Sequence, residues 1–272
     1  MTFVLEKKRL TTKTMKRTAL ITGASSGIGL ELAKIHASKG DNLILVARSK
    51  SKIDELKVEL EKSYGINVYT IGKDLSLAGS ANEVYSEVKQ QNIIVDYLIN
   101  NAGFGNFGLF AESDWSKQEQ MINLNITALT HLTWLFLKDM VERKSGKIMN
   151  VASTAAFQSG PTMAVYYATK AYVLNFSEAI NNEVRKSGVT VTALCPGATE
   201  SGFQAAAAME ESKLVKGRKL PSSKQVAEYG YKAMMKGKTV AIHGLMNAIM
   251  ANSVRFMPRS IVVKVTRMIQ DK

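Results

Sequence analysis

The sequence contains a single cysteine, three histidines and no apolar run of the roughly 18–20 residues that span a bilayer. One cysteine excludes an internal disulfide and favours a reducing, cytoplasmic compartment, and the apolar run around Cys195 predicts a buried structural thiol. The histidines lie far apart, so we expect no metal site. Charged residues occupy the N-terminus where a secretion signal would be apolar, so we expect neither secretion nor integral membrane insertion.

The formal net charge of +13 is concentrated in three segments. Residues 1–17, 213–238 and 253–272 carry +5, +7 and +4, so the rest of the chain is slightly acidic. No nucleic-acid-binding motif accompanies this charge, and we expect no nucleic-acid partner. The basic segments could attract an acidic substrate or an anionic membrane surface, or they could simply be solvated charge; these alternatives stay open.

Short β-branched runs alternate with longer amphipathic segments from Arg17 onward. The runs are almost continuously apolar, which is typical of parallel strands covered by helices on both faces, and the pattern predicts an α/β fold with a doubly wound parallel sheet. The predicted strands are Ala19–Thr22, Asn42–Val46, Val68–Gly72, Tyr97–Asn100, Lys147–Val151, Thr190–Leu194 and Thr239–Ile242. The predicted helices are Ile28–Lys39, Ser51–Ser63, Ser80–Gln91, Trp115–Arg143 and Met163–Lys186.

A length of 272 residues fits one large domain, which we place at residues 16–252. Residues 1–15 form a basic extension that is compatible with disorder, and residues 197–220 are predicted to form a substrate loop with some helix. A basic amphipathic helix is predicted within residues 253–272, packed on the domain or on a partner subunit, with peripheral membrane contact as the alternative. Its predicted apolar stripe consists of Ile261, Val262, Val265, Met268 and Ile269.

Three glycines, Gly23, Gly27 and Gly29, follow the first predicted strand and precede the first predicted helix. Glycines allow the backbone to turn sharply and to approach a pyrophosphate, while the helix N-terminus offers unpaired N–H groups. The sequence therefore predicts a dinucleotide-binding turn at Thr22–Gly29.

The end of the second predicted strand bears on the choice of cofactor. An acid usually holds the ribose 2′-hydroxyl of NAD there, about twenty residues beyond the glycines. Here Ala47 stands at that position and Arg48 follows it. Because a guanidinium can bind a 2′-phosphate and no carboxylate is present, we expect NADP(H).

Of three Tyr-x-x-x-Lys matches in the sequence, only Tyr166/Lys170 has a serine, Ser153, thirteen residues before its tyrosine. A spacing of four on a helix places the phenol and the ammonium on the same face. The matches that begin at Tyr69 and Tyr85 lack this serine. Tyr167, which adjoins Tyr166, has no lysine four residues after it.

With these motifs the chain resembles the short-chain dehydrogenase/reductase family over roughly residues 16–244. Its Asn101–Gly105 run suggests a bacterial-type member, and Arg48 suggests that this member is NADP-dependent. The resemblance implies a Rossmann-type three-layer fold of about seven strands in the order 3-2-1-4-5-6-7. The implied catalytic residues are Asn125, Ser153, Tyr166 and Lys170. The implied cofactor-binding residues are Gly23, Ser25, Ser26, Gly27, Ile28, Gly29, Arg48, Asp74, Leu75, Asn101, Ala102, Gly103, Tyr166, Lys170, Pro196, Gly197 and Ser201.

Tyr166 is expected to exchange a proton with the substrate oxygen. A free phenol has a pKa of about 10, and we expect the Lys170 ammonium and an oxidised nicotinamide to lower that pKa. Ser153 is expected to donate a hydrogen bond to the substrate carbonyl. The resemblance further implies that Asn125 holds a water linking Lys170 to solvent, and that Lys170 binds the nicotinamide ribose.

The sequence thus predicts an NADPH-dependent reductase of ketones or aldehydes, reversible as alcohol oxidation. A 3-oxoacyl thioester reductase stays open, because basic residues 213–219 could bind a phosphorylated carrier, and a non-catalytic NADP-binding regulator is the alternative from another class. The resemblance implies a homodimer or homotetramer paired through two long helices. We expect an apolar or acyl-type substrate in a cleft lined by Phe104, Phe107, Phe157, Met163, Phe203 and Met209.

Overall fold

The computed structural model describes residues 16–207, 217 and 219–270. The predictions for residues 1–15, for Met209 and for the basic stretch from Lys213 to Arg218, apart from Gly217, lie outside these described residues. Seven parallel strands form one sheet in the order β3-β2-β1-β4-β5-β6-β7, which confirms the predicted order and fold class. The strands are β1 Thr18–Thr22, β2 Asn42–Ala47, β3 Val68–Gly72, β4 Tyr97–Asn100, β5 Gly146–Val151, β6 Val189–Cys195 and β7 Val240–Ile242.

Helices connect the strands and cover both faces of the sheet. They are α1 Gly27–Ser38, α2 Lys50–Tyr64, α3 Ser80–Gln90, α4 Trp115–Ile122, α5 Leu129–Glu142, α6 Ala164–Val184, α7 Phe203–Ala206, α8 Ser223–Met235, α9 Leu245–Ser253 and α10 Arg259–Gln270. The predicted strands and helices match the structure to within about two residues at each end, apart from the segment that contains α4 and α5. The helices α8 and α9 were not predicted.

The core consists of two apolar layers, one on each face of the sheet. Ile21 of β1 belongs to the layer that packs under α1, α2 and α8, whereas its neighbour Leu20 belongs to the layer under α3 and α5. Because successive side chains of a strand point to opposite faces, a strand buried on both faces must be apolar at consecutive positions. This requirement explains the near-continuous apolar runs in the sequence.

The predicted helix Trp115–Arg143 is not a regular helix throughout. A π-helical segment, Asn123–Ala128, lies between α4 and α5 and carries Asn125. The side-chain amide of Asn125 donates to the carbonyl of Phe104 at 3.0 Å and to the hydroxyl of Thr169 at 3.1 Å, and its oxygen accepts from the Phe104 N–H at 3.2 Å. These long-range bonds coincide with the wider helical turn, which periodicity alone does not predict.

Candidate active site

A cleft of about 850 Å³ lies at the carboxyl ends of the strands. The chain leaves β1 in one direction along the sheet and β4 in the other, so the cleft lies at the switch point where open α/β sheets bind ligands. Every predicted site residue lines this cleft except Gly29 and Asn125. Both of these lie directly behind residues that do line it.

The turn after β1 requires glycine at three positions, by backbone conformation or by close packing. Gly23 and Gly27 have φ angles of +66° and +57°, which favour glycine. A Cβ on Gly29 would lie 2.3 Å from the carbonyl oxygen of Gly23, so Gly29 allows α1 to pack closely on the turn rather than contacting a ligand. Asn101 supports the turn from β4, because its side chain donates to the carbonyl of Thr22 at 2.9 Å. The turn therefore fits a dinucleotide pyrophosphate at the N-terminus of α1.

The region beyond β2 presents cations to the cleft. Arg48 lines the cleft directly after Ala47, and Lys52, in the first turn of α2, lines it as well. Neither side chain forms an ion pair with any of the described residues. Lys52 was not predicted as a site residue. A lysine one helical turn beyond the arginine was the only sequence signal for it.

Backbone and polar side chains complete the cofactor side of the cleft. The Asp74 carboxylate accepts from the N–H and the hydroxyl of Ser76, at 2.9 and 2.7 Å, and this pair fixes its position. A Cβ on Gly103 would lie 2.9 Å from the Asn125 side-chain oxygen and 3.4 Å from the Lys170 ammonium nitrogen. Gly103 therefore allows the chain after β4 to approach the proposed catalytic residues. The other predicted cofactor-binding residues that line the cleft are Ser25, Ser26, Ile28, Leu75, Ala102, Pro196, Gly197 and Ser201.

Ser153, Tyr166 and Lys170 are all buried at the centre of the cleft. Ser153 follows β5, where its hydroxyl oxygen accepts from the Ala155 N–H at 3.1 Å. Tyr166 and Lys170 lie on the first two turns of α6, and the Lys170 ammonium donates to the carbonyl of Val151 at 2.7 Å. A strand end and a helix N-terminal region thus bring a hydroxyl, a phenol and an ammonium together.

Burial controls the ionisation of this group. It raises the pKa of Tyr166 to about 12, while hydrogen bonding with Ser153 acts in the lowering direction. Burial also lowers the pKa of Lys170 to about 8. The Lys170 ammonium lies 5.9 Å from the ring centroid of Tyr166, and burial has the largest influence on the pKa of the phenol. Tyr166 therefore holds its proton at neutral pH. The expected lowering of this pKa by Lys170 together with an oxidised nicotinamide stays a prediction.

Asn125 is held more tightly than the sequence suggested. Both amide hydrogens are donated, to Phe104 and Thr169, so only the side-chain oxygen, which also accepts from Phe104, retains capacity for a water. A water that links Asn125 to Lys170, as expected from the sequence, would have to bond this oxygen or the backbone of Asn125.

The other tyrosines with a similar sequence context have different partners. The hydroxyl of Tyr69 donates to Glu87 at 3.1 Å, and that of Tyr85 donates to Asp139 at 3.2 Å. Tyr167 packs beside Tyr166 and accepts a hydrogen bond from Gln270 at the end of α10. None of the three shares the contacts of Tyr166.

The substrate side of the cleft differs in part from the prediction. Phe104, Met163 and Phe203 line it, whereas Phe107 only packs against the apolar cluster around Tyr166 and Phe157 packs beside Cys195. Cys195 is fully buried, as predicted.

The C-terminal helices α9 and α10 form a further wall that was not predicted. Met250, Val254, Met257, Val262, Val265 and Ile269 line the cleft there. The predicted apolar stripe on the last helix divides between the cleft and the outer surface. Val262 is buried, Val265 and Ile269 line the cleft but are partly exposed, and Ile261 and Met268 are exposed. The face buried most deeply combines Val262 with the polar Thr266 and Gln270. Thr266 donates to the Val262 carbonyl, and the side-chain nitrogen of Gln270 donates to the Tyr167 hydroxyl.

A parallel sheet, a glycine turn at its switch point and a buried Ser–Tyr–Lys group define a Rossmann-type protein with the arrangement of a nicotinamide-dependent oxidoreductase. The family model for short chain dehydrogenase matches residues 17–212, and the chain belongs to the short-chain dehydrogenase/reductase family.

Three similar proteins bear on its chemistry. The very-long-chain 3-oxoacyl-CoA reductase of Pyrenophora tritici-repentis is 39% identical over 196 residues, covering 70% of this chain and 57% of that protein. A short-chain dehydrogenase from Sphingobium yanoikuyae, solved in complex with NADPH, is 31% identical with a TM-score of 0.81, covering 88% of this chain and 92% of that one. The bulky-bulky ketone specific alcohol dehydrogenase from Comamonas testosteroni is 29% identical with a TM-score of 0.76 over the same shares.

The chain spans less than two thirds of the length of the curated reductases it matches first. Within the described ranges, no helix is long and apolar enough to cross a membrane. The same ranges contain no group of three or more histidine, cysteine or acidic side chains placed to hold a metal ion.

Proposed function

We propose that this protein reduces a ketone or aldehyde with NADPH, and that it oxidises the corresponding alcohol in reverse. The observation that carries the proposal is the convergence of Ser153, Tyr166 and Lys170, all buried, on a cleft that also contains the glycine turn. When bound, the nicotinamide supplies the hydride.

The protein's own residues handle the proton. Tyr166 is protonated at neutral pH, so its phenol donates a hydrogen bond and then the proton to the carbonyl oxygen of the substrate. The Ser153 hydroxyl stabilises the negative charge that develops on the same oxygen. Lys170 is anchored by the Val151 carbonyl and is placed to bind a ribose hydroxyl and to favour the phenolate by its charge.

The preference for NADP over NAD is supported by the cations beyond β2. Arg48 and Lys52 both face the cleft, and Ala47 supplies no carboxylate. A 2′-phosphate would meet two positive charges there, whereas a 2′-hydroxyl would lack its usual acceptor.

An apolar substrate is supported by the wall that α9 and α10 add to the cleft. A 3-oxoacyl thioester is the second candidate, favoured by the exposed Lys219 at the rim and by the named activity of the fungal relative. The basic residues Lys213, Lys216 and Arg218, on which that candidate also rested, lie outside the described residues.

Steady-state NADPH consumption with a panel of ketones, aldehydes and 3-oxoacyl thioesters tests the proposal. Tyr166→Phe and Lys170→Ala should each lower kcat by about 10²–10⁴-fold. Tyr85→Phe is the control: it removes a phenol hydroxyl that donates to Asp139, and it should leave kcat unchanged. Wild-type protein that binds NADPH but turns over no member of the panel would instead favour the non-catalytic regulator.

Homo-oligomers paired through α5 and α6 are also proposed. Trp134 on α5 and Tyr172 on α6 are 53% and 38% exposed, so each of these helices presents an aromatic side chain that a second copy of the chain could cover. Light scattering on wild type and Trp134→Glu should show an oligomer and a smaller species, respectively. The buried, unpaired Cys195 is consistent with a cytoplasmic location.

A further inference from the structure

Exposed apolar side chains are concentrated at the C-terminal end of the described chain. Ten of the nineteen exposed large apolar residues among the described residues lie between positions 245 and 269. Phe256 is 89% exposed, Leu245 79% and Met268 71%. We call this set the C-terminal patch; its outward-facing members are Leu245, Met246, Ile249, Phe256, Ile261 and Met268. Single exposed apolar side chains are ordinary on soluble proteins, whereas a concentration of them in one segment points to an interaction surface.

The charge of the same segment has one sign. Residues 245–270 contain four basic residues and no aspartate or glutamate. Arg255, Arg259 and Lys264 are exposed among the apolar residues of the patch. A second copy of the chain docked by the same surface would bring these cations against each other, which is unfavourable. An anionic surface would instead match both the apolar and the charged side chains.

The patch adjoins the substrate side of the cleft. Val265 and Ile269 line the cleft and are also 41% and 40% exposed, so one helix forms both the cleft wall and part of the outer surface. Met250 of α9 and Met257 in the following turn do the same. Gln270 fixes the end of α10 through its hydrogen bond to Tyr167, beside the proposed proton donor.

We propose that the C-terminal patch docks on the surface of an anionic phospholipid bilayer. Phe256, Leu245 and Met268 insert among the acyl chains near the interface, while Arg255, Arg259 and Lys264 contact lipid phosphates. Docking places the mouth of the cleft against the lipid, so an apolar carbonyl compound dissolved in the bilayer reaches the site without crossing water. This last step rests on the proposed reductase function; the docking does not.

Vesicle flotation with the 272-residue chain tests the docking. Wild type should float with phosphatidylcholine vesicles that contain phosphatidylserine, and less with phosphatidylcholine alone or at high salt. The double variant Phe256→Glu/Met268→Glu should lower the partition to anionic vesicles by at least roughly tenfold, because two apolar side chains no longer insert. Arg255→Glu/Lys264→Glu should abolish the preference for anionic over neutral vesicles. Val58→Glu, at a 65% exposed position on α2, is the matched control and should float like wild type.

Three results would overturn the proposal. Wild type that stays with the unbound fraction at low salt shows that the patch does not bind lipid. Equal flotation of wild type and Phe256→Glu/Met268→Glu shows that another part of the chain binds. A lipid-free dimer that this double variant dissociates shows that a second copy covers the patch. Turnover of a water-soluble ketone, measured on the same preparations, separates the two proposals. A variant that reduces the ketone but does not float bears on the docking proposal alone. Protein that floats but does not reduce the ketone refutes only the proposed reductase function.

Discussion

Replacing Gly29 with alanine would perturb the proposed cofactor site through a single methyl group. The new Cβ would lie 2.3 Å from the Gly23 carbonyl oxygen and 2.5 Å from the Asn101 side-chain nitrogen, whereas ordinary contacts begin near 3.4 Å. The backbone of the glycine turn must therefore move by about 1 Å, since the carbonyl belongs to the main chain. Overpacking of this kind costs about 3 kcal/mol, which corresponds to a loss of roughly 6–12 °C in Tm for a domain of this size.

The displaced turn should also bind the pyrophosphate poorly, and we expect the Kd for NADPH to rise at least roughly tenfold. Calorimetric titration with NADPH and thermal unfolding of the same samples measure both effects. Gly40→Ala is the matched control: its Cβ meets no atom within 4 Å, and only its φ of +82° causes strain, of about 1 kcal/mol. Gly29→Ala with the Tm and Kd of wild type would refute the close packing of α1 on the turn.

Three further predictions follow from charge and burial. Arg48→Asp should raise KM for NADPH at least tenfold more than KM for NADH. Equal changes in the two KM values in steady-state assays would show that Arg48 does not determine the preference for NADPH. The pKa of Lys170, about 8, is below its value in the unfolded chain, so the folded protein loses this proton first as the pH rises. Between pH 8 and 10.5 the free energy of unfolding should therefore rise by up to about 3 kcal/mol relative to that of Lys170→Met. Denaturant titrations that give the two proteins the same pH dependence would contradict this. Burial raises the pKa of Cys195 to about 12, so a thiol reagent should label it only on unfolding, and labelling of the folded protein at pH 8 would show that it is accessible.

The sequence predicted the sheet and its strand order because its signals are local. A strand buried on both faces needs a continuous apolar run, and the glycine turn needs glycine where φ is positive. Ser153, Tyr166 and Lys170 were likewise found by spacing, since a strand end and a following helix have fixed geometry. These features depend on residues that are close together in the chain.

The missed features depend on contacts between distant segments. The π-helical segment at Asn125 accompanies bonds to Phe104 and Thr169, and the wall formed by α10 depends on how the C-terminus returns to Tyr167. The amphipathic pattern of α10 indicated an apolar face but not which side of it meets the cleft. The rise of the Tyr166 pKa by burial was missed for the same reason, because the depth of burial is a property of the folded chain.

Isotope transfer tests the central claim most directly. The protein would be incubated with NADPH that carries deuterium at both positions of nicotinamide C4, together with a water-soluble ketone, and the alcohol analysed by mass spectrometry. The account predicts one deuterium on the carbinol carbon with wild type and with Tyr85→Phe, and almost no product with Tyr166→Phe. Alcohol without deuterium, or equal deuterated product from Tyr166→Phe, would contradict hydride transfer with Tyr166 as the proton donor.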